Sequence, residues 1–328
     1  MLRNKNIGID LGTSNILIYV KDEGIILNEP SIVAVDNKSN KVLAVGEKAY
    51  EMLGRTPGSV LTIKPLKDGV IADFDKTEVM LEYFIKKIKC KTFFTKPRIL
   101  ICCPSNITQV EKNAIKEVAE RTGAKSVDVE EEPKVAAVGA GIKISLPSGN
   151  MVIDIGGGTT DIAVLSLGDI VYSESIKIAG NKFDSDIINY IKNKHKLLIG
   201  EVTAEQIKIE IGTLAEIQKN KSMQIKGRDL LTGLPKTQEI SAGEIKEALK
   251  NSVDIIVHTV KNVLEKIEPE LSSDIIEKGI ILTGGGALLK GLDKVIEKEI
   301  KVPVKVSKNP LTSVAEGTGM ILEARYKK

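Results

Sequence analysis

One short phrase occurs twice in this chain. Near the start it reads Ile7-Gly-Ile-Asp-Leu-Gly-Thr-Ser-Asn15; in the middle it reads Val152-Ile-Asp-Ile-Gly-Gly-Gly-Thr-Thr-Asp161. Apolar alternation resumes after each copy, at Ile16, Ile18 and Val20 and at Ile162, Val164 and Leu165. The pattern predicts a strand, a tight glycine turn and a returning strand. Glycine lets backbone approach a ligand closely, and consecutive turn N–H groups form an anion-binding concavity. Carboxylates cannot hold phosphate themselves, so Asp10 and Asp154 suit a hydrated Mg2+ held between phosphates and protein. A duplicated Asp-plus-phosphate hairpin therefore predicts two similar halves that grip one nucleotide from opposite sides.

A single glycine hairpin would pass for an ordinary turn. Two copies, with a third glycine run at Thr283-Gly-Gly-Gly-Ala287, argue against that. No phosphate loop of the G-x-x-x-x-G-K-[ST] kind occurs. No Asp-x-Gly hairpin opens directly into a helix, as a dinucleotide fingerprint requires.

The 328 residues suggest about two domains with sizeable cores. A net charge of +3, with no Trp and 3% aromatics, gives no basis for a nucleic-acid partner. Cys90, Cys102 and Cys103 lack metal spacing and read as reduced thiols of a cytosolic protein; adjacent Cys102 and Cys103 should pack on opposite sheet faces. His195 and His258 are isolated. The polar stretch from Met1 to Asn6 is not a secretory signal, and no apolar run reaches membrane-spanning length.

Strands are expected at 7–11, 16–21, 24–27, 31–36, 41–45, 97–103 and 126–129, with helices at 75–89 and 107–121. The segment 146–150, Leu-Pro-Ser-Gly-Asn, is the best boundary by composition. Three strands and a helix near 183–193 should follow. Thr203-Ala-Glu-Gln206 and Ser241-Ala-Gly-Glu244 both have capping-box form, the second opening a long helix that ends before Pro269. Residues 222–237 read as a β excursion, and a last helix spans 312–326. Alternating β and α elements around two repeated cores imply an α/β fold.

Together these residues resemble the actin/Hsp70/hexokinase ATPase superfamily, and within it the bacterial actins of the MreB type, nearest the Mbl branch. The two phosphate hairpins, the helix segment Glu132-Pro-Lys-Val-Ala-Ala-Val-Gly139, the run from Thr283 to Leu289 and the segment Ala315-Glu-Gly-Thr-Gly319 stand in the family's order. Leu27-Asn-Glu-Pro-Ser31, Arg55-Thr-Pro-Gly58 and Gly227-Arg-Asp-Leu-Leu-Thr-Gly-Leu-Pro235 narrow the match. The resemblance covers nearly the whole chain. It implies an actin-like fold of two duplicated α/β domains around a nucleotide cleft. Domain I would be 1–145 with a small insert near 30–64, and domain II 146–309 with an insert near 182–245. A C-terminal helix, 310–328, would return to domain I.

The resemblance also implies ATP and Mg2+ as cofactors and hydrolysis coupled to polymerisation. Phosphates would lie on Gly12, Thr13, Ser14, Asn15, Gly156, Gly157 and Gly158, with Asp10 and Asp154 on the waters of Mg2+. Glu132 would orient the attacking water, with Thr159 as its partner. Read without the resemblance, Glu130, Glu131 and Glu132 are better taken as a solvated acidic first turn; their position within the motif reverses that. The segment Glu205, Gln206, Ile207 and Lys208 would serve ribose and adenine, with Gly284, Gly285, Gly286 and Ala287 flat against the adenosine. Actin's lysine in the first hairpin is missing here.

Two further expectations concern partners. Phe93 and Phe94 sit in a polar turn with Lys86, Lys87, Lys89, Lys91, Lys96 and Arg98 nearby and no acidic residue from Tyr83 through Val110. They could be core residues beside ordinary solvated lysines; the resemblance favours a loop that enters an anionic inner membrane face. The product would be a homopolymeric filament on that membrane, cytoplasmic and peripheral. It would act with membrane proteins of the wall-elongation machinery to keep a rod shape. The helix 107–121, notably Val110, is a candidate for lateral contacts. A small-molecule kinase of the same superfamily is the alternative, though no acceptor pocket or base is identifiable. A chaperone of this fold would need a peptide-binding domain, which is not expected here.

Overall fold

The computed structural model describes residues 6–88, 96–105, 107–215 and 221–326. Two five-stranded sheets organise them. In the first, β1 (Asn6–Leu11), β2 (Asn15–Val20) and β3 (Gly24–Pro30) form an antiparallel meander. β4 (Arg98–Cys103) and β5 (Ser126–Glu131) extend it in parallel beyond β1. In the second, β6 (Asn150–Ile155), β7 (Thr160–Ser166) and β8 (Asp169–Ile176) repeat the meander. β9 (Ile280–Thr283) and β10 (Val304–Val306) extend it in parallel beyond β6. The orders β5-β4-β1-β2-β3 and β10-β9-β6-β7-β8 trace the same path. The repeated phrase is thus the visible part of a repeated sheet.

Helices cover the sheets where their apolar stripes dictate. α1 (Phe74–Lys87) buries Met80, Leu81, Phe84 and Ile85, and α2 (Gln109–Arg121) buries Ile115, Val118 and Ala119, on the face that carries Ile7, Ile9 and Leu11. Asp73 caps α1 by accepting the Lys76 N–H at 3.0 Å; Thr108 and Glu111 form a capping box on α2. In the second half, α4 (Gly180–His195), α5 (Glu201–Ile211) and the long α6 (Ala242–Glu265) pack with the sheet into one core. Ser241 and Glu244 cap α6 as the sequence implies. Three-stranded insertions interrupt both halves: Val33–Asp36, Val42–Val45 and Val60–Ile63 in the first, Leu197–Leu198, Ser222–Asp229 and Pro235–Ser241 in the second.

The halves are joined by two crossing helices, α3 (Glu132–Gly139) and α9 (Ser313–Arg325). Their small core takes Cys102 from the first sheet, Val152 and Ala163 from the second, and Val135, Ala136 and Val314 from the helices. Cys103 packs in the core on the other face, as expected for adjacent strand residues. One expectation needs correction. Thr203 does not open a capping box: the helix already starts at Glu201, after Gly200, so Thr203 lies inside its first turn. Pro269 follows the end of α6 at Glu265, as expected. It sits in the first turn of another, α7 (Pro269–Lys278), where its missing N–H costs nothing. α8 (Leu292–Ile300) completes the second half.

Candidate functional site

The β1–β2 and β6–β7 turns meet face to face. Their approach is closer than any side chain would permit: a Cβ on Gly157 would lie 2.0 Å from Ser14 Oγ, and one on Gly158 2.6 Å from Thr13 Oγ1. Ser14 Oγ donates to Asn181 Oδ1 across the gap at 3.3 Å, and Thr13 Oγ1 accepts the Gly69 N–H at 3.0 Å. Beneath and beside the paired turns lies a cleft of about 520 Å³. Asp10, Gly12, Thr13, Ser14 and Asn15 line it from the first half; Asp154, Gly156, Gly157, Gly158 and Thr159 line it from the second. Glu132, Glu205, Lys208, Gly284, Gly285 and Gly286 complete the wall.

The cleft floor concentrates carboxylates. Burial, then the charge of Asp154, pushes Asp10 up to about 8. Burial chiefly pushes Asp154 up to about 7, against a hydrogen bond of 2.5 Å donated by Thr283 Oγ1. Glu132 stands at the first residue of α3, part-exposed into the cleft, and is raised well above the carboxylate range by desolvation and then by Asp161, Asp10 and Asp154. The solvated acidic turn is therefore not what the structure contains at this position: Glu132 lines the cleft, while Glu130 pairs with Arg325 and Lys134. Among the described residues no three His, Cys, Asp or Glu side chains are grouped to ligate a metal directly. Two buried carboxylates whose proton affinity is raised, chiefly by burial, nevertheless fit a divalent cation held through its waters, since its charge would relieve both. Mg2+ would be held here by Asp10 and Asp154.

The far end of the cleft departs from the sequence expectation in detail. Glu205 and Lys208 do not bond one another. Tyr50 donates to Glu205 Oε2 at 2.5 Å from the first insertion, and Lys208 pairs with Asp184 at 2.8 Å and donates to the Gly180 carbonyl at 3.2 Å. Gln206 is exposed away from the cleft and Ile207 is fully buried in the second core, because a helix turns 100° per residue and one face alone can reach the cavity. Ala287 likewise packs inward under the glycine run. Residues absent from the sequence reading take their place: Ile209, Leu288 and Leu311 are 68%, 53% and 56% exposed, yet all line the cleft. Exposed apolar side chains gathered at a cavity mark a binding surface. Ile209 carried a signal, being apolar on the helix face opposite Ala204, Ile207 and Ile211.

A second cavity of about 540 Å³ continues between the first insertion and α4–α5, sharing Thr13, Ser14, Asn15 and Glu205. Lys64 bridges its mouth to Glu201 at 2.7 Å. Phe93 and Phe94 lie outside the described residues, and Val110 is 77% exposed on α2.

The family model described as MreB/Mbl protein matches residues 4–328. The cell shape-determining protein Mbl of Bacillus cereus is 62% identical over 319 residues, 97% of this chain and 96% of that protein. The cell shape-determining protein MreB of Escherichia coli is 49% identical over 325 residues, 98% and 94% of the two chains. The crystal structure of MreB 5 of Spiroplasma citri bound to AMPPNP superposes with a TM-score of 0.95 at 44% identity, covering 100% of this chain and 98% of that one.

Proposed function

The chain belongs to the MreB/Mbl protein family, and on that premise we propose that it is an ATP-binding, ATP-hydrolysing bacterial actin that polymerises to determine cell shape. One observation carries the reading. Two copies of one hairpin, each with its Asp, meet turn to turn over a buried carboxylate cluster in a cleft between duplicated halves. The AMPPNP carried by the Spiroplasma relative and the cell-shape names of the curated relatives support it.

The phosphates lie on the N–H groups of residues 12–15 and 156–158, with Thr13 and Ser14 hydroxyls as further donors. Asp10 and Asp154 would hold Mg2+ through its waters, and the ion would supply neutralisation of phosphate charge. Glu132 and Thr159 orient a water in line with the terminal phosphorus; its oxygen bonds to phosphorus as the bond to the ADP oxygen breaks, and its proton passes toward Glu132. The adenosine lies against Gly284–Gly286 and the apolar rim of Ile209, Leu288 and Leu311, with Glu205 and Lys208 beside the ribose. Closure of the halves on nucleotide makes the filament-competent shape, and head-to-tail contacts that do not close give an open polymer.

We place the filament on the inner membrane face through Phe93, Phe94 and the surrounding lysines, in company with membrane proteins of the wall-elongation machinery. Pelleting of purified protein with ATP, with and without anionic liposomes, tests the reading. Nucleotide-dependent pelleting and phosphate release are expected. Release of phosphate only on addition of a small-molecule acceptor would instead identify a kinase.

A further inference from the structure

The Glu205 carboxylate lines the cleft from the second half but is held from the first. The Tyr50 hydroxyl donates to Glu205 Oε2 at 2.5 Å. Among the described residues this hydroxyl is the hydrogen-bond partner of that carboxylate, and it takes one oxygen of the pair. Lys208, about one helical turn further on, is committed to Asp184 at 2.8 Å and to the Gly180 carbonyl at 3.2 Å. Tyr50 is itself anchored. It ends the short helix Glu47–Tyr50, whose first N–H is accepted by Glu29 Oε2 at 2.8 Å, and it packs against the insertion core of Ile32, Ala34 and Ala49.

The helix α5 runs along the wall between the phosphate turns and the glycine run. Glu201 and Val202, in its first turn, line the second cavity. Lys208 ties its middle to Gly180, whose N–H donates to the Gly156 carbonyl of the second phosphate turn at 3.1 Å. Gly212, just past its end, abuts the other side: a Cβ there would lie 3.2 Å from Leu289 Cδ1, next to the glycine run. A sugar joins phosphate to base, so it lies between the turns and the run. Glu205 lines both cavities and stands about 10 Å of helix before Gly212. An ionised carboxylate accepts hydrogen bonds and donates none, so it calls for a donor, and hydroxyls are the donors that a ribose carries.

We propose that Tyr50 is a positioning residue for sugar recognition: by holding Glu205 Oε2 it aims Oε1 at a ribose hydroxyl, so that the chain selects ribonucleotides over deoxyribonucleotides. The inference rests on the nucleotide-binding reading above and extends it, since it gives the first insertion a part in ligand selection. Tyr50 lines the second cavity and not the nucleotide cleft, so it acts through Glu205. A glutamate on a helix has several rotatable bonds and holds no single direction; a fixed hydrogen bond removes that freedom before the nucleotide arrives. A site built around a hydroxyl then rejects the analogue that lacks it, because the waiting oxygen is left unpaired.

The test is equilibrium binding of ADP, 2′-deoxy-ADP and 3′-deoxy-ADP to the full chain, as wild type, Tyr50→Phe, Glu205→Ala and the double variant. Binding of diphosphates is read without any hydrolysis step. Wild type should bind ADP about 10-fold or more tightly than at least one deoxy analogue. Tyr50→Phe keeps the ring in the insertion core and loses only the hydroxyl. Its affinity for ADP should fall several-fold while that for the discriminated analogue stays within about twofold of wild type. Glu205→Ala should remove the discrimination, and adding Tyr50→Phe to it should change nothing further, because both act through one contact. Equal binding of all three nucleotides by wild type overturns the proposal. So does a Tyr50→Phe variant that discriminates as wild type does, whether its affinities fall together, as a merely structural tie would make them, or stay unchanged. A further loss in the double variant overturns it too. Wild-type protein that binds none of the three would instead remove the nucleotide-binding reading, and this proposal with it.

Discussion

Replacing Gly317 by Ala should loosen the joint between the halves and disable Glu132 from a distance. α3 and α9 cross backbone to backbone: a Cβ on Gly317 would lie 2.0 Å from the Val135 carbonyl oxygen, and one on Gly139 1.7 Å from that of Ser313. Carbon–oxygen contacts settle no closer than about 3.3 Å, so the helices must part by roughly 1.3 Å to admit the methyl. Two effects oppose. Alanine in a helix gains about 1 kcal/mol over glycine. Overpacking a close-packed site costs about 1–3 kcal/mol and sometimes more, and here the obstacle is main chain that cannot swing aside. The clash should win, with a net destabilisation of up to about 2 kcal/mol from the difference of these terms. Because α3 carries Glu132 at its first residue, a shift of this size should also slow turnover by about 100-fold. Urea unfolding of the nucleotide-free protein and single-turnover phosphate release read the two effects. Gly58→Ala, with nothing within 4 Å of its new Cβ, is the control and should change neither. Gly317→Ala that unfolds and turns over like wild type would refute the reasoning.

Five other outcomes are expected. Glu132→Ala should retain nucleotide and lose about 10²–10⁴-fold in hydrolysis; single-turnover rates within twofold of wild type would remove Glu132 from the mechanism. Asp154→Ala should weaken Mg2+-nucleotide binding, and calorimetry with an unchanged affinity in Mg2+ would show the metal misplaced. The same site has a pH signature. Asp10 and Asp154 bind protons more tightly folded, at about 8 and about 7, than the ordinary 3.8, so nucleotide-free protein should lose stability as pH rises from about 4 to 8. Asp154→Asn should flatten that slope, and denaturation profiles that stay parallel would contradict it. Tyr50→Phe removes the donor to Glu205 that ties the first insertion to α5 and should speed nucleotide release several-fold in a stopped-flow displacement assay; an unchanged off-rate would show that the contact does not gate the cleft. Changing Phe93 and Phe94 to Ser should abolish liposome co-sedimentation and leave ATP turnover intact. Each ring contributes about 1.5–3 kcal/mol on burial and each nearby Lys about 1 kcal/mol on an anionic surface, summed over many subunits of a filament. Wild-type liposome binding by the double variant would make those rings core residues.

The sequence by itself determined the duplication, the glycine turns and their acidic residues. Those are local properties: alternation, a turn that needs glycine, a strand too apolar to face water. It also placed Cys102 and Cys103 on opposite faces and capped α6 with Ser241, because both follow from strand or helix period alone. Only the tertiary structure decided which groups share a cavity. Lys208 finds Asp184 instead of its helix neighbour Glu205, and Glu205 finds Tyr50 from an insertion far away in the chain. Ile207 belongs to the core and Ile209 to the cleft, a choice that depends on which helix face the sheet covers. Asp161 ends the second copy of the repeated phrase. Its burial beside Ser105 arises from the docking of one half on the other, and docking is a sum over many weak long-range contacts that no short stretch of sequence records.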